Sequence, residues 1–150
     1  MNKNDTIRFQ RANNMVSNLD RAFALYRDIF DMTVEFIHES EPDCYSYSFF
    51  GIDRSASIKF CVLSTATQPR IMALTEVTGV DLQQPSLPRR NAIVLEVPDF
   101  DRILSQCAAA GFQVLEQSEL VTDAERVGKQ CGVVDADGNI ILIYQLPDEG

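Results

Sequence analysis

The sequence predicts an α+β fold built from two paired βαβββ modules, with curved sheets side by side and helices on the outside. Three observations carry this expectation. A helix-forming stretch occurs twice with the same opening residues. A short strand candidate precedes each copy. Three strand candidates follow each copy.

In chain order, the first strand is "RANNMV" (11–16). The helix after it lies in "VSNLDRAFALYRDIFDMTVEF", which aligns with "VPDFDRILSQCAAAGFQVLE". Val16 falls over Val97, Asn18 over Asp99, and Asp20-Arg21 over Asp101-Arg102. Asn18 and Asp99 are N-cap residues, whose side chains accept bonds from free amides of the first turn. Leu19, Ala22, Phe23, Tyr26 and Phe30 form the apolar stripe of a helix packed on a sheet. Phe100, Ile103, Leu104, Cys107 and Ala108 repeat it, four of the five at one constant offset. Gly111 ends the second helix, and Asp31 holds the comparable place after Phe30.

Strand candidates in the first half are "TVEFIHES" (33–40), "CYSYSFF" (44–50) and "SIKFCVL" (57–63). Residues 67–90, with Pro69, Pro85 and Pro88, read as a connector, and "RIMALTEVTGVD" is the part best able to order. The second half opens with "AIVLEV" (92–97) and continues after its helix with strands in 112–121, 126–134 and 140–146. Before the last strand, Asp137-Gly138-Asn139 is a turn. The run Ile140 to Tyr144 is apolar on both faces, so its second face also avoids water or lines a pocket. The expected organisation is one domain over 1–150, with modules of about 7–66 and 91–146. The modules pair within the chain or across a homodimer.

Composition bounds the function. A net charge of −9 lacks the basic footprint of a nucleic-acid binder and disfavours anionic membrane surfaces. No apolar run reaches the roughly 18–20 residues of a membrane span. "MNKNDTIRFQ" has no apolar core of a secretory signal, so a cytoplasmic location is expected. Cys44, Cys61, Cys107 and Cys131 are widely spaced and read as free thiols in a reducing compartment.

Two motifs resemble a known family. "VSNLDRAFALYRDIFDM" is similar to the "V-x-D-x-x-x-S-x-x-F-Y-x-x-x-L-G" signature of the vicinal oxygen chelate superfamily, and "VVDADGNIILIY" to its "D-P-D-G-N-x-x-E-L". That superfamily includes glyoxalase I, methylmalonyl-CoA epimerase, extradiol dioxygenases, and fosfomycin- and bleomycin-resistance proteins. The resemblance spans roughly residues 7–146 and implies a U-shaped cleft, often in a dimer. It also implies a divalent metal held by His, Gln or Glu from the first and last strand of each module.

Carried onto this chain, those four places are Arg11, Phe60, Ala92 and Leu142. Arg has no lone pair to offer, and the other three carry no donor. Lys59 and Cys61, beside Phe60, do not restore a hard-metal site. No metal and no other cofactor is therefore expected. The only histidine, His38, stands in "EFIHESEPDC", where strand alternation turns Glu35 and Glu39 away from it. That segment reads as a solvated strand end.

Strand alternation then supplies candidate ligand-binding residues. If Leu142 faces the cleft, so do Ile140 and Tyr144. If Ala92 does, so do Val94 and Glu96. If Arg11 does, so do Asn13 and Met15. An apolar floor with Arg11, Asn13, Glu96, Leu142 and Tyr144 suits a small organic ligand. Tyr45, Tyr47 and Phe49 share one face of their expected strand and form a possible aromatic wall. "LPRR", with Arg89 and Arg90, reads as solvated connector.

The leading expectation is a metal-independent binder of a hydrophobic or aromatic compound, of the bleomycin-resistance type. The alternative is a glyoxalase-like lyase, isomerase or dioxygenase with shifted metal ligands, or a metal-free lyase or isomerase using Glu96 or Tyr144 with Arg11. A third reading is an interaction module whose sheets serve only dimerisation.

Overall fold

Each helix-forming stretch sits between strands of one sheet. A computed structural model describes residues 6–148. In the first module β1 (Ala12–Val16), α1 (Leu19–Tyr26), β2 (Thr33–Glu39), α2 (Ser46–Phe50), β3 (Ser57–Ser64) and β4 (Met72–Thr78) give a sheet of order β1-β4-β3-β2. In the second, β5 (Ile93–Glu96), α3 (Phe100–Ala109), β6 (Gln113–Val114), β7 (Ser118–Val121), β8 (Val127–Val134) and β9 (Ile140–Gln145) give the order β5-β9-β8, with β6 and β7 both paired to β8. In both sheets the first strand runs parallel to the last, and the remaining pairs are antiparallel.

The caps form as the side chains dictate. Asn18 accepts from the Arg21 N–H at 2.9 Å, and Asp99 from the Arg102 N–H at 3.3 Å. Asp31 adopts the left-handed conformation, at φ 61°, after the turns that follow α1. Phe30 lies beyond α1, packed against the core.

Two expectations are corrected. Residues 44–50 are not a strand, because the segment closes into α2 with Gly51 at φ 68° as its left-handed stop. This winding buries Tyr47, whose hydroxyl donates to the Ala56 carbonyl at 2.8 Å. It sets Tyr45 and Phe49 one turn apart on the outside, their rings 5.9 Å apart. Tyr45, Tyr47 and Phe49 therefore do not form an aromatic wall.

The second correction concerns the connector over 67–90, which contains β4, so the first module runs to residue 78 rather than 66. Met72, Ala73, Leu74 and Thr75 are all buried between β1 and β3. The last strand of module one is thus β4, not 57–63. Elsewhere, the strand expected over 112–121 is broken into β6 and β7.

A repeated contact supports the equivalence of β4 and β9. Glu76 on β4 accepts from the Leu19 N–H at 2.7 Å, at the start of α1. Gln145 on β9 accepts from the Phe100 N–H at 2.9 Å, at the start of α3. Each last strand thus satisfies a first-turn amide of its own module's helix.

The modules pair within the chain. One continuous apolar core joins Leu19, Phe23 and Tyr26 of α1, Leu74 of β4, Phe100 and Ile103 of α3, and Ile141 and Ile143 of β9. A buried polar network ties the turn before β9 to β1. The Tyr26 hydroxyl donates to the Asp135 carboxylate at 2.8 Å and accepts from the Asn14 amide at 3.0 Å. Asp135 also accepts from the Asp137 and Asn139 N–H groups and from the Asn139 side chain. The same Asn139 amide donates to the Met15 carbonyl at 2.9 Å. All side-chain polar atoms buried in the described residues find partners. No helix among those residues is long and apolar enough to cross a membrane.

Candidate functional site

Alternation along the strands separates two faces. Cys61, Leu63, Met72, Leu74, Cys131, Val133, Ile141 and Ile143 point into the core shared with the helices. Their neighbours point to the helix-free faces, where the candidate residues stand. Leu142 lies there between its pairing partners Val94 on β5 and Gly132 on β8. Tyr144 stands beside Glu96, and its hydroxyl donates to the Glu96 carboxylate at 3.3 Å. Partial burial and the Glu96 charge raise the Tyr144 phenol above its ordinary range, so it is a neutral donor at pH 7. Val94, 57% exposed, extends this apolar floor.

Arg11 and Asn13 belong to the other sheet. Asn13 accepts from the Thr75 hydroxyl at 3.0 Å. Arg11, just before β1, donates through Nε to the Arg70 carbonyl at 3.3 Å. The five candidates therefore form two groups: Glu96, Leu142 and Tyr144 on one sheet, and Arg11 and Asn13 on the other.

Two features escape the sequence reading. On the first sheet, Phe36 and His38 stack at 5.6 Å with an interplanar angle of 9°, and Phe60 completes a ring trio. The Arg70 guanidinium lies 5.9 Å from the Phe36 ring. Alternation puts Phe36 and His38 on one face, but their register against Phe60 needs the structure. A β-bulge between Val34 and Phe36 turns Glu35 onto Ser64, whose hydroxyl donates to it at 2.7 Å. Glu35 thus leaves the strict alternation that groups it with Glu39.

The second feature is a cavity of about 590 Å³ between the module seam and the connector. Its lining includes Asn13, Pro88, Arg89, Arg90, Asn91 and Ile140. A further cavity of about 350 Å³ lies along the seam, among Phe9, Ala12, Thr65, Gln68, Val94 and Leu95.

Three of the four thiols, Cys61, Cys107 and Cys131, are not poised as nucleophiles. Burial pushes Cys61 and Cys107 up to about 11, and Cys131 is raised for the same reason. All three lie in the core.

No protein-family model matches the chain, and no curated protein does. Solved structures match along its whole length. A glyoxalase family protein from Bacillus cereus superposes with a TM-score of 0.73 at 17% identity, covering 99% of each chain. A glyoxylase/bleomycin resistance protein/dioxygenase domain from Frankia sp. gives 0.66 at 16%, covering 95% of this chain and 100% of that one. The trypanothione-dependent glyoxalase I of Leishmania major gives 0.63 at 16%, covering 93% and 87%.

The chain has the glyoxalase fold.

On this glyoxalase fold the four places that the resemblance assigns to metal ligands follow from the strand pairing. Val94 and Asn13 are repeat equivalents, and they pair with Leu142 and Ala73. The first-module place is therefore Ala73, not Phe60, because β4 rather than β3 is the equivalent of β9. Arg11, Ala73, Ala92 and Leu142 provide one permanent cation and three hydrocarbon side chains. They do not fit a divalent metal. Among the described residues, no three His, Cys, Asp or Glu side chains gather as a metal site elsewhere.

Proposed function

We propose that this chain is a metal-independent small-molecule-binding protein that takes a hydrophobic or aromatic organic compound in the cleft formed by the helix-free sheet faces. One observation carries the reading: large apolar side chains stand uncovered there, Phe36 in a ring trio on one sheet and Val94 beside Leu142 on the other. Arg11, Asn13, Glu96 and Tyr144 supply the few polar points such a pocket uses for orientation. Bleomycin-resistance-type proteins on this fold suggest the same use of the cleft.

The test is a thermal-shift screen of neutral aromatic compounds, because a specific ligand raises Tm by mass action. The expected outcome is a saturable shift that Leu142→Asp and Val94→Asp weaken by roughly tenfold or more. A screen in which no aromatic class shifts Tm, or hits unaffected by both substitutions, overturns the reading. Elemental analysis of purified protein is expected to find no divalent ion near stoichiometry. A homodimer is the expected assembly, with Tyr45 just before α2 and Phe49 within it as uncovered aromatic surface, and light scattering decides it. Free cysteines favour a reducing, cytoplasmic location.

A second reading rests on the Tyr144–Glu96 hydrogen bond. Such a pair suits metal-free proton transfer in a lyase or isomerase. If it operates, Glu96→Gln abolishes turnover while leaving ligand affinity within about threefold. Equal loss of both favours simple binding.

A further inference from the structure

The chain carries a net charge of −9, yet two consecutive arginines, Arg89 and Arg90, both line one cavity of about 590 Å³. Neither Arg89 nor Arg90 has a hydrogen-bond or ion-pair partner among the described residues. Most other arginines are engaged, Arg27 with Asp28, Arg102 with Asp99 and Arg11 with the Arg70 carbonyl, while Arg21 stands on the exposed face of α1, away from this cavity. Two cations on one cavity wall that carries no carboxylate favour an anion there.

The cavity wall adds neutral donors. Asn13 and Asn91 line it, and the Asn13 carbonyl is held by the Thr75 hydroxyl, which leaves its amide N–H₂ free to donate. The lining has no Asp or Glu. Pro85 and Pro88 both precede the arginines, Pro88 directly, which limits the backbone freedom of the approach to them. Gln84 donates to the Ala136 carbonyl at 3.3 Å and fixes the start of this segment on the turn before β9.

We infer that this cavity is an anion-binding subsite in which Arg89 and Arg90 hold the carboxylate or phosphate of a small organic ligand, with Asn13 and Asn91 as neutral hydrogen-bond donors. Guanidinium forks suit both groups, because each presents two oxygens at matching spacing. The volume of about 590 Å³ admits an anion with an organic body rather than a bare ion alone. Of the residues in the aromatic reading above only Asn13 lines this subsite, since Phe36, Val94, Leu142 and Tyr144 do not.

The test uses inorganic phosphate, phenyl phosphate, benzoate and neutral benzamide, followed by NMR of arginine Nε–H and backbone amide signals. Arg89→Ala and Arg90→Ala identify the two arginine signals, and both sites are exposed, so the fold is kept. The expected result is a saturable shift confined to Arg89, Arg90, Asn91 and Asn13. Phenyl phosphate binds more tightly than inorganic phosphate, and benzamide at least tenfold more weakly than benzoate. The double alanine variant loses roughly tenfold or more in phenyl phosphate affinity, whereas Arg21→Ala changes nothing. Shifts spread evenly over all arginines, equal binding of benzamide and benzoate, or an unaffected double variant each overturn the proposal. Neutral aromatics that bind while these anions do not would sink this subsite and leave the cleft reading standing.

Discussion

Tyr26 is the residue on which most of the buried polar chemistry converges. Burial first, and then the Asp135 charge, raise its phenol well above the ordinary value, so it stays a neutral donor. Tyr26→Phe leaves both Asp135 and Asn14 one partner short. It is expected to lower unfolding stability by about 1–3 kcal/mol in urea denaturation. The buried thiols give a pH dependence. Cys61 and Cys107 titrate near 11 when folded and near 9 when unfolded. Above pH 9 the unfolded chain releases these protons while the folded chain keeps them. Stability is thus fully present below pH 9 and falls as pH rises through about 11. Denaturant midpoints measured from pH 8 to 11 check this, and a flat profile would contradict it.

At the scale of elements, the contact from last strand to helix start is the device that repeats. Glu76→Ala frees the Leu19 N–H and is expected to cost about 1–2 kcal/mol, whereas Glu76→Gln keeps an acceptor and costs less than half of that. Guanidinium chloride midpoints separate the two. Gly128 and Gly132 on β8 differ in what surrounds them. A Cβ on Gly128 meets the Gln145 backbone carbonyl, which has no freedom to move, while at Gly132 it meets the Leu115 side chain. Gly128→Ala is therefore expected to lower Tm more than Gly132→Ala.

These elements also show what the sequence makes legible. Both helices can be placed because Asn18 and Asp99 cap them and an apolar stripe follows at constant offset. β4 is hidden because a central strand buried on both faces lacks alternation, and its flanking prolines read as connector. The segment 44–50 misleads because aromatic alternation also fits one short helical turn. Among site residues, strand alternation puts Glu96 and Tyr144 on one face, but the parallel register that sets them side by side needs the structure. The ring trio needs it too, because a β-bulge resets the register at Glu35. The arginine-lined cavity depends on how a loop crosses the seam, which no periodic pattern encodes.

For the whole molecule, the seam between modules is bound unevenly. Near the turn before β9, Tyr26, Asp135, Asn139 and Met15 form a closed polar network. In the repeat, the position of Tyr26 is taken by Cys107, which has no hydroxyl to send across. Near that side lies the cavity flanked by Thr65, Gln68 and Val94. The duplicated halves have thus kept a common backbone plan while fastening only one end of their joint. The free end is where the molecule should breathe. Amide hydrogen exchange is expected to be slow at Met15 and Asn139 and measurably faster at Val94 and Leu95. A compound that wedges the halves apart would then do so beside Thr65 and Gln68, opening the molecule like a book hinged at Asn139, while an anion held at Arg89 and Arg90 would sit by the spine.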